Sequence, residues 1–305
     1  MANKNKKSGV FAGIFDHIFF LRPLLILPIW APLLLGYVAA GGSGLDLVFI
    51  KLLLLGLFLG GGIYGLNQIF DIEGDRLNRK NLPIALGHVS IPAAWAMTIF
   101  FDVAALATAI WIGIMPAAFT VVGVLFGFLY SHPKFRFKDK PWQAVLLNAL
   151  GHGTLVYVIG WSSIDILKLE ILYRVLPYAL AFAGVYLATT IPDISGDRAV
   201  GKRTLAVLKG EKYTTILSFA LIGVATLGSI FIKEPAVFLT GLFSIPFYIY
   251  AAIKGGRHFV TANKVAVLLL NLWICFYAIT YILVLVIIIV ASRIYYTTRL
   301  KVRYP

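Results

Sequence analysis

Nine long apolar runs constrain this chain more than any other feature. They lie at about 19–40, 47–70, 92–112, 114–130, 142–161, 171–191, 214–232, 236–253 and 265–291. A run of about 17–25 apolar residues is long enough to cross the hydrocarbon core of a bilayer as a helix. A spanning segment must satisfy its own backbone hydrogen bonds, which leaves helices or a closed barrel. Runs this long read as helices. Composition supports the reading: 60% of the 305 residues are hydrophobic and 13% are charged, against about a quarter charged in a soluble domain. Mean hydropathy is +0.89. A water-soluble globule, a disordered chain and a coiled coil are excluded, and one cysteine, Cys275, excludes a disulfide scaffold.

The expectation is therefore a single all-α, polytopic membrane domain over 1–305 with about nine transmembrane helices. The third and fourth runs meet at Gly113–Pro116 and form a tight helical hairpin. Positive charge sets the orientation. Nineteen Lys and Arg fall on the side that holds the N-terminus, including Lys4, Lys6 and Lys7. Eight fall on the other, four of them in the tail: Arg293, Arg299, Lys301 and Arg303. The N-terminus is expected in the cytoplasm. The net charge of +14 is then read as topology facing an anionic lipid surface, with no nucleic-acid partner implied.

Acids are scarce, and five of the 13 fall in two short segments. One is Asn67-Gln-Ile-Phe-Asp71-Ile-Glu73-Gly-Asp75-Arg76. The other is Thr189-Thr-Ile-Pro-Asp193-Ile-Ser-Gly-Asp197-Arg198. They superpose at an offset of 122 residues with six identities in ten positions, and Lys80 and Lys202 follow at the same offset. This is an internal repeat. The pseudo-repeat halves are placed at about 19–130 and 142–253, with a last helix at 265–291.

Residues four apart share a helix face. If the helix continues through each motif, Asn67, Asp71 and Asp75 form one polar stripe, Asp193 and Asp197 form another, and Glu73 points elsewhere. Like charges at this spacing repel, so a cation is needed. Mg²⁺ prefers oxygen ligands, takes one or two carboxylates, and completes its shell with water and substrate phosphate. Asn67, Asp71, Asp75, Asp193 and Asp197 are the candidate metal ligands, and the four aspartates the candidate catalytic groups. Arg76, Arg79 and Lys80 follow the first motif, and Arg198, Lys202 and Arg203 the second. Lys134, Arg136 and Lys138 lie between. Acids for metal beside bases for phosphate suit a metal–diphosphate site.

At these residues the chain resembles the UbiA superfamily of intramembrane prenyltransferases. The resemblance rests on Asn67/Asp71/Asp75 and Asp193/Asp197. It extends to Leu21-Arg22-Pro23, Tyr130-Ser131-x-Pro133 and Gly201-Lys-Arg-Thr-Leu205. Asn67-Gln68, Asn81-Leu-Pro83 and Pro192-Asp-Ile-Ser-Gly-Asp197 look like the homogentisate prenyl- and phytyltransferase branch. The resemblance implies a UbiA-like bundle that transfers an isoprenyl group from a prenyl diphosphate, with Mg²⁺, to a lipophilic, aromatic, quinone-precursor-like acceptor. It also implies substrate contacts by Arg22 and Tyr130, beside Asn67, Arg76, Lys80, Arg136, Lys138, Arg198 and Lys202. Acceptors of the glycerol-ether or chlorophyllide type are the alternatives within that chemistry.

Aromatic faces can stabilise an allylic cation. Phe58, Tyr64, Phe70, Phe128, Tyr130, Tyr157 and Tyr186 are in spans that end near the motifs. Asp102 stands mid-span in the third run, and the five histidines show no metal spacing. A transporter is the competing class. It would place polar groups and broken helices near mid-membrane in both halves, whereas these acids sit at span ends.

Overall fold

The computed structural model describes residues 10–77, 80–302 and 304. Lys4, Lys6, Lys7, Arg79 and Arg303 lie outside the described residues. The chain is all-helical: α1 (Val10–Phe20), α2 (Leu27–Ala39), α3 (Leu47–Leu77), α4 (Ile91–Ile112), α5 (Ile114–Ser131), α6 (Pro141–Asn148) and α7 (Val156–Ser162). Then follow α8 (Glu170–Arg174), α9 (Leu176–Thr190), α10 (Ile194–Ala199), α11 (Leu205–Phe231), α12 (Pro235–Lys254), α13 (His258–Leu272) and α14 (Tyr281–Thr298). A π-helical turn, Ala149–Leu155, joins α6 to α7.

Ten segments among the described residues are long and apolar enough to cross a membrane. The count exceeds the sequence expectation by one because the run at 265–291 is two spans, His258–Phe276 and Tyr281–Thr298. Hydropathy does not register the break, because the residues around it, Phe276, Tyr277, Ala278 and Ile279, are themselves apolar. An even number of spans brings the tail back to the side of α1. There Asp16, 1% exposed, accepts hydrogen bonds from Tyr295 Oη (2.7 Å) and from Arg299 Nη2 (2.7 Å) and Nε (3.1 Å). Phe19 stacks on Tyr295 at 4.0 Å. The basic tail thus joins the base-rich side.

Close backbone contact holds the bundle together where glycine removes the side chain. A Cβ on Gly160 would lie 1.8 Å from the Leu33 carbonyl oxygen, and one on Gly36 would lie 2.1 Å from that of Tyr157. Helices α2 and α7 therefore touch along their backbones, as small residues permit in membranes. Gly62 meets Asp102 on α4, and Gly184, 122 residues on, meets Ser218 and Ile222 on α11. Asn271 donates to the Leu27 carbonyl (3.1 Å) and accepts from Tyr281 Oη (2.8 Å), tying α13 and α14 to α2.

Two interruptions shape the site. Pro23 disfavours helix at the residue before it, and Arg22 takes a left-handed conformation (φ 54°) between α1 and the turn Pro23–Ile26. Pro192 has no N–H with which to continue α9, which ends at Thr190, so the second motif does not continue its span as a single helix. Asp193 stands at the junction with α10. The Asp197 N–H still bonds the Asp193 carbonyl at 2.8 Å, which preserves the four-residue spacing.

Candidate active site

A cavity of about 380 Å³ opens at the end of the bundle where the two motifs meet. Helix α3 presents Asn67 and Asp71 to it; the α9–α10 junction presents Asp193 and Asp197. Arg22, Lys80, Tyr130, Lys138 and Lys202 also line it. The tertiary structure thus brings together nine of the residues read from sequence as metal or substrate contacts. Asp75 is buried just behind the wall, 7% exposed.

Lysines hold the carboxylates apart. Lys138 Nζ lies 2.8 Å from Asp71 Oδ1, with side chains 5% and 13% exposed. Lys80 Nζ reaches both motifs, at 3.5 Å from Asp75 and 3.6 Å from Asp193. Lys202 Nζ is 3.2 Å from Asp197. The two motifs share one local device: each lysine N–H bonds the carbonyl of the aspartate five residues earlier, at 2.9 Å in both copies. This folds Lys80 over Asp75 and Lys202 over Asp197.

Burial raises the Asp197 carboxyl above its ordinary range, with Lys202 opposing the shift. Burial lowers Lys138 against the pull of Asp71. For Lys202 burial acts downward, but Asp197 and Asp71 together carry it above the usual value.

Among the described residues, no three His, Cys, Asp or Glu side chains converge into a ready-made metal cluster. The donor set still fits Mg²⁺, which needs one or two carboxylates per ion and takes the rest from phosphate and water. Asn67, Asp71, Asp193 and Asp197 offer oxygen donors on the cavity wall that suit a hard cation, and lysines occupy the positive positions between them.

Three arginines are placed elsewhere. Arg76 Nε donates to the Ala85 carbonyl (2.8 Å), Arg136 pairs with Asp139, and Arg198 Nη2 reaches the Val207 carbonyl (3.5 Å). None lines the cavity. The positive-inside bias fills these loops with bases, and spacing alone does not say which turn inward. Glu73 and Lys134 are exposed and also outside.

Of the aromatics considered, Tyr64, Tyr130 and Tyr186 line the cavity. Phe58 packs on Phe101, Phe70 on Trp95, Phe128 on His132, and Tyr157 on Tyr178. Thr190 and Thr204, from the quoted motifs, also line the wall, and so do Asn148 and His152, which lie in no motif. The signal that could have pointed to His152 was weak: one polar residue between glycines, Gly151 and Gly153, inside an apolar run.

Residues 29–266 match the sequence profile of the UbiA prenyltransferase family. A chloroplastic 2-acyl-4-prenylphloroglucinol 6-prenyltransferase of Humulus lupulus is 31% identical over 204 residues, covering 59% of this chain and 50% of that protein. The chloroplastic homogentisate solanesyltransferase of Arabidopsis thaliana is 32% identical over 223 residues, 65% of this chain and 54% of that protein. The chain spans about half the length of such curated relatives. A UbiA homolog from Archaeoglobus fulgidus, solved bound to GPP and Mg²⁺, superposes with a TM-score of 0.69 at 21% identity, covering 84% of this chain and 96% of that one. With the profile running through both aspartate motifs and a shared fold beneath it, this chain belongs to the UbiA prenyltransferase family.

Proposed function

We propose that this chain transfers an isoprenyl group from a prenyl diphosphate to a lipophilic aromatic acceptor, with Mg²⁺. The observation that carries this reading is the joining of two aspartate motifs, 122 residues apart, at the mouth of one apolar cavity, with Lys80 linking Asp75 to Asp193. Asn67, Asp71, Asp193 and Asp197 would hold the metal, with Asp75 behind them. Mg²⁺ bound there supplies Lewis-acid neutralisation of the diphosphate.

The chain's own residues do the rest. Lys80, Lys138 and Lys202, already within 3.6 Å of the carboxylates, would stabilise the charge of the diphosphate as the C–O bond ionises. Arg22 adds a further positive group on the wall. Leu25, Ile29, Leu59, Ile63 and Leu155 surround the isoprenyl tail and exclude water. Tyr130 and Tyr186, on the wall, offer ring faces to the allylic cation.

We read the site as facing the cytoplasm, and the excess of Lys and Arg on this side supports that reading. We read residues 1–305 as one domain whose halves, 19–130 and 142–253, are a single helical unit used twice. The matched Lys80 and Lys202 turns support that reading. The acids sit at one end of the spans, which favours an enzyme over a transporter.

Asp71→Ala and Asp193→Ala are expected to abolish Mg²⁺-dependent diphosphate release from geranyl diphosphate while the protein still inserts and purifies. Full activity in both variants would sink the assignment.

A further inference from the structure

His152 is a polar position on the cavity wall that neither metal nor diphosphate explains. His152 sits on the π-helical turn Ala149–Leu155 and lines the cavity. Such turns recur at functional sites, because the extra residue re-aims a side chain. Its neighbour Gly153 abuts α9, where a Cβ would lie 2.6 Å from Ala179 Cα. The turn is therefore pinned on that side, and His152 faces the cavity.

One bond fixes which nitrogen carries the proton. The Tyr64 hydroxyl donates to the Leu25 carbonyl at 2.9 Å. Its oxygen therefore accepts at its contact with His152 Nε2, 3.1 Å away, so Nε2 is the protonated nitrogen. Nδ1 keeps its lone pair. Among the described residues it has no hydrogen-bond partner, and no carboxylate lies within 4 Å of the ring. Tyr64 and Phe182 stack on the ring, at 6.4 and 6.0 Å between centroids. The imidazole is thus held by one bond and two ring contacts, and it keeps one free acceptor. Such an acceptor on a cavity wall is open to a donor carried by whatever the cavity holds.

The level suits a ring. Tyr64 and Asp71 are seven residues apart on α3, on one face and about 10 Å apart along the axis. A hydroxyl hydrogen bond at about 2.8 Å and an approach of about 3–3.5 Å between reacting carbons leave room for one aromatic ring between His152 and a prenyl group at the rim.

We infer that His152 Nδ1 receives the hydroxyl of a phenolic acceptor and takes its proton as the new bond forms. This rests on the prenyl-transfer reading above and narrows its acceptor to a ring bearing a free hydroxyl. The steps balance. The hydroxyl proton passes to Nδ1 and the oxygen's electron pair feeds the ring. A ring carbon bonds C1 of the prenyl group, and the pair of the C1–O bond leaves with diphosphate. Enolisation of the dienone returns the Nδ1 proton to the oxygen, and the carbon's proton goes to water. Tyr64, acting through His152, is a positioning residue.

The test uses the full chain in detergent, with geranyl diphosphate as donor, and homogentisate, an acylphloroglucinol and their O-methyl ethers as acceptors. Mg²⁺-dependent donor binding is measured by calorimetry in parallel. His152→Phe is expected to lower kcat/KM for the acceptor by on the order of 10²–10⁴ with donor affinity unchanged. His152→Asn, which keeps an acceptor atom near the Nδ1 position, is expected to recover the acceptor KM but not kcat. Wild type should reject the methyl ethers strongly, and His152→Phe should not discriminate. Tyr64→Phe, which frees the tautomer without removing the imidazole, is expected to lower acceptor kcat by about 10-fold or more and provides the readout if His152→Phe does not fold. Acceptor kinetics within threefold of wild type in the folded variants, or turnover of no hydroxylated ring while donor still binds, would overturn the inference and leave the donor site standing. Absence of Mg²⁺-dependent donor binding in wild type would overturn both.

Discussion

Lys138 offers the sharpest test of the idea that lysines stand in for cations. Its Nζ is 2.8 Å from Asp71 Oδ1 and the pair is nearly enclosed. At an effective dielectric near 20 the gross attraction is about 6 kcal/mol, most of it offset by taking both charges out of water. Breaking such a buried pair costs about 3–5 kcal/mol, because the survivor is left unpaired. Lys138→Met, close in length and without charge, should destabilise the metal-free protein by about that amount. A divalent cation at Asp71 supplies the missing positive charge. Mg²⁺ with inorganic diphosphate should therefore raise the thermal midpoint of the variant more than that of wild type. Turnover should still fall, by about 10²–10³, the range for removing one preorganised electrostatic partner. The assay is thermal unfolding in detergent with and without Mg²⁺ and diphosphate, alongside diphosphate release. Equal midpoint shifts in the two proteins, or turnover within threefold of wild type, would refute the reasoning.

Acidification should weaken Mg²⁺ binding from a higher pH than ordinary carboxylates would give. Burial raises Asp197, so it is protonated where an exposed aspartate is still ionised, and the metal needs the ionised form. Mg²⁺ titrations against pH check this, and Asp197→Asn should remove that acid limb. Gly160→Ala should destabilise by about 1–3 kcal/mol or more, since the new Cβ meets backbone of α2 at 1.8 Å; a thermal midpoint equal to wild type would contradict that contact. Asp16→Ala should cost about 3 kcal/mol or more and expose the tail after Arg299 to protease, read by limited proteolysis; unchanged cleavage would dismiss the clasp.

Much of the site could be read from residue order. The aspartates, Lys80 and Lys202 stand at a fixed offset, and an acid-poor chain makes that offset visible. Lys138 and Arg136 looked equivalent, two residues apart in one basic loop. The short 3₁₀ turn at Phe137–Asp139 buries Lys138 on Asp71 and leaves Arg136 on Asp139 at the surface. Such a choice depends on what the loop packs against, which no spacing encodes. The split of the last apolar run was hidden because hydropathy averages over a break made of apolar residues.

Sequence alone determined the membrane class, the helical architecture and the paired aspartate motifs, because each rests on local quantities: run length, charge and spacing. Tertiary structure decided which bases face the cavity, on which side the tail returns, and that His152 stands below the aspartates with one nitrogen bound and one free. Those outcomes depend on contacts between residues far apart in the chain, Tyr64 with His152 and Asp16 with Arg299, and a linear pattern carries no distance between them.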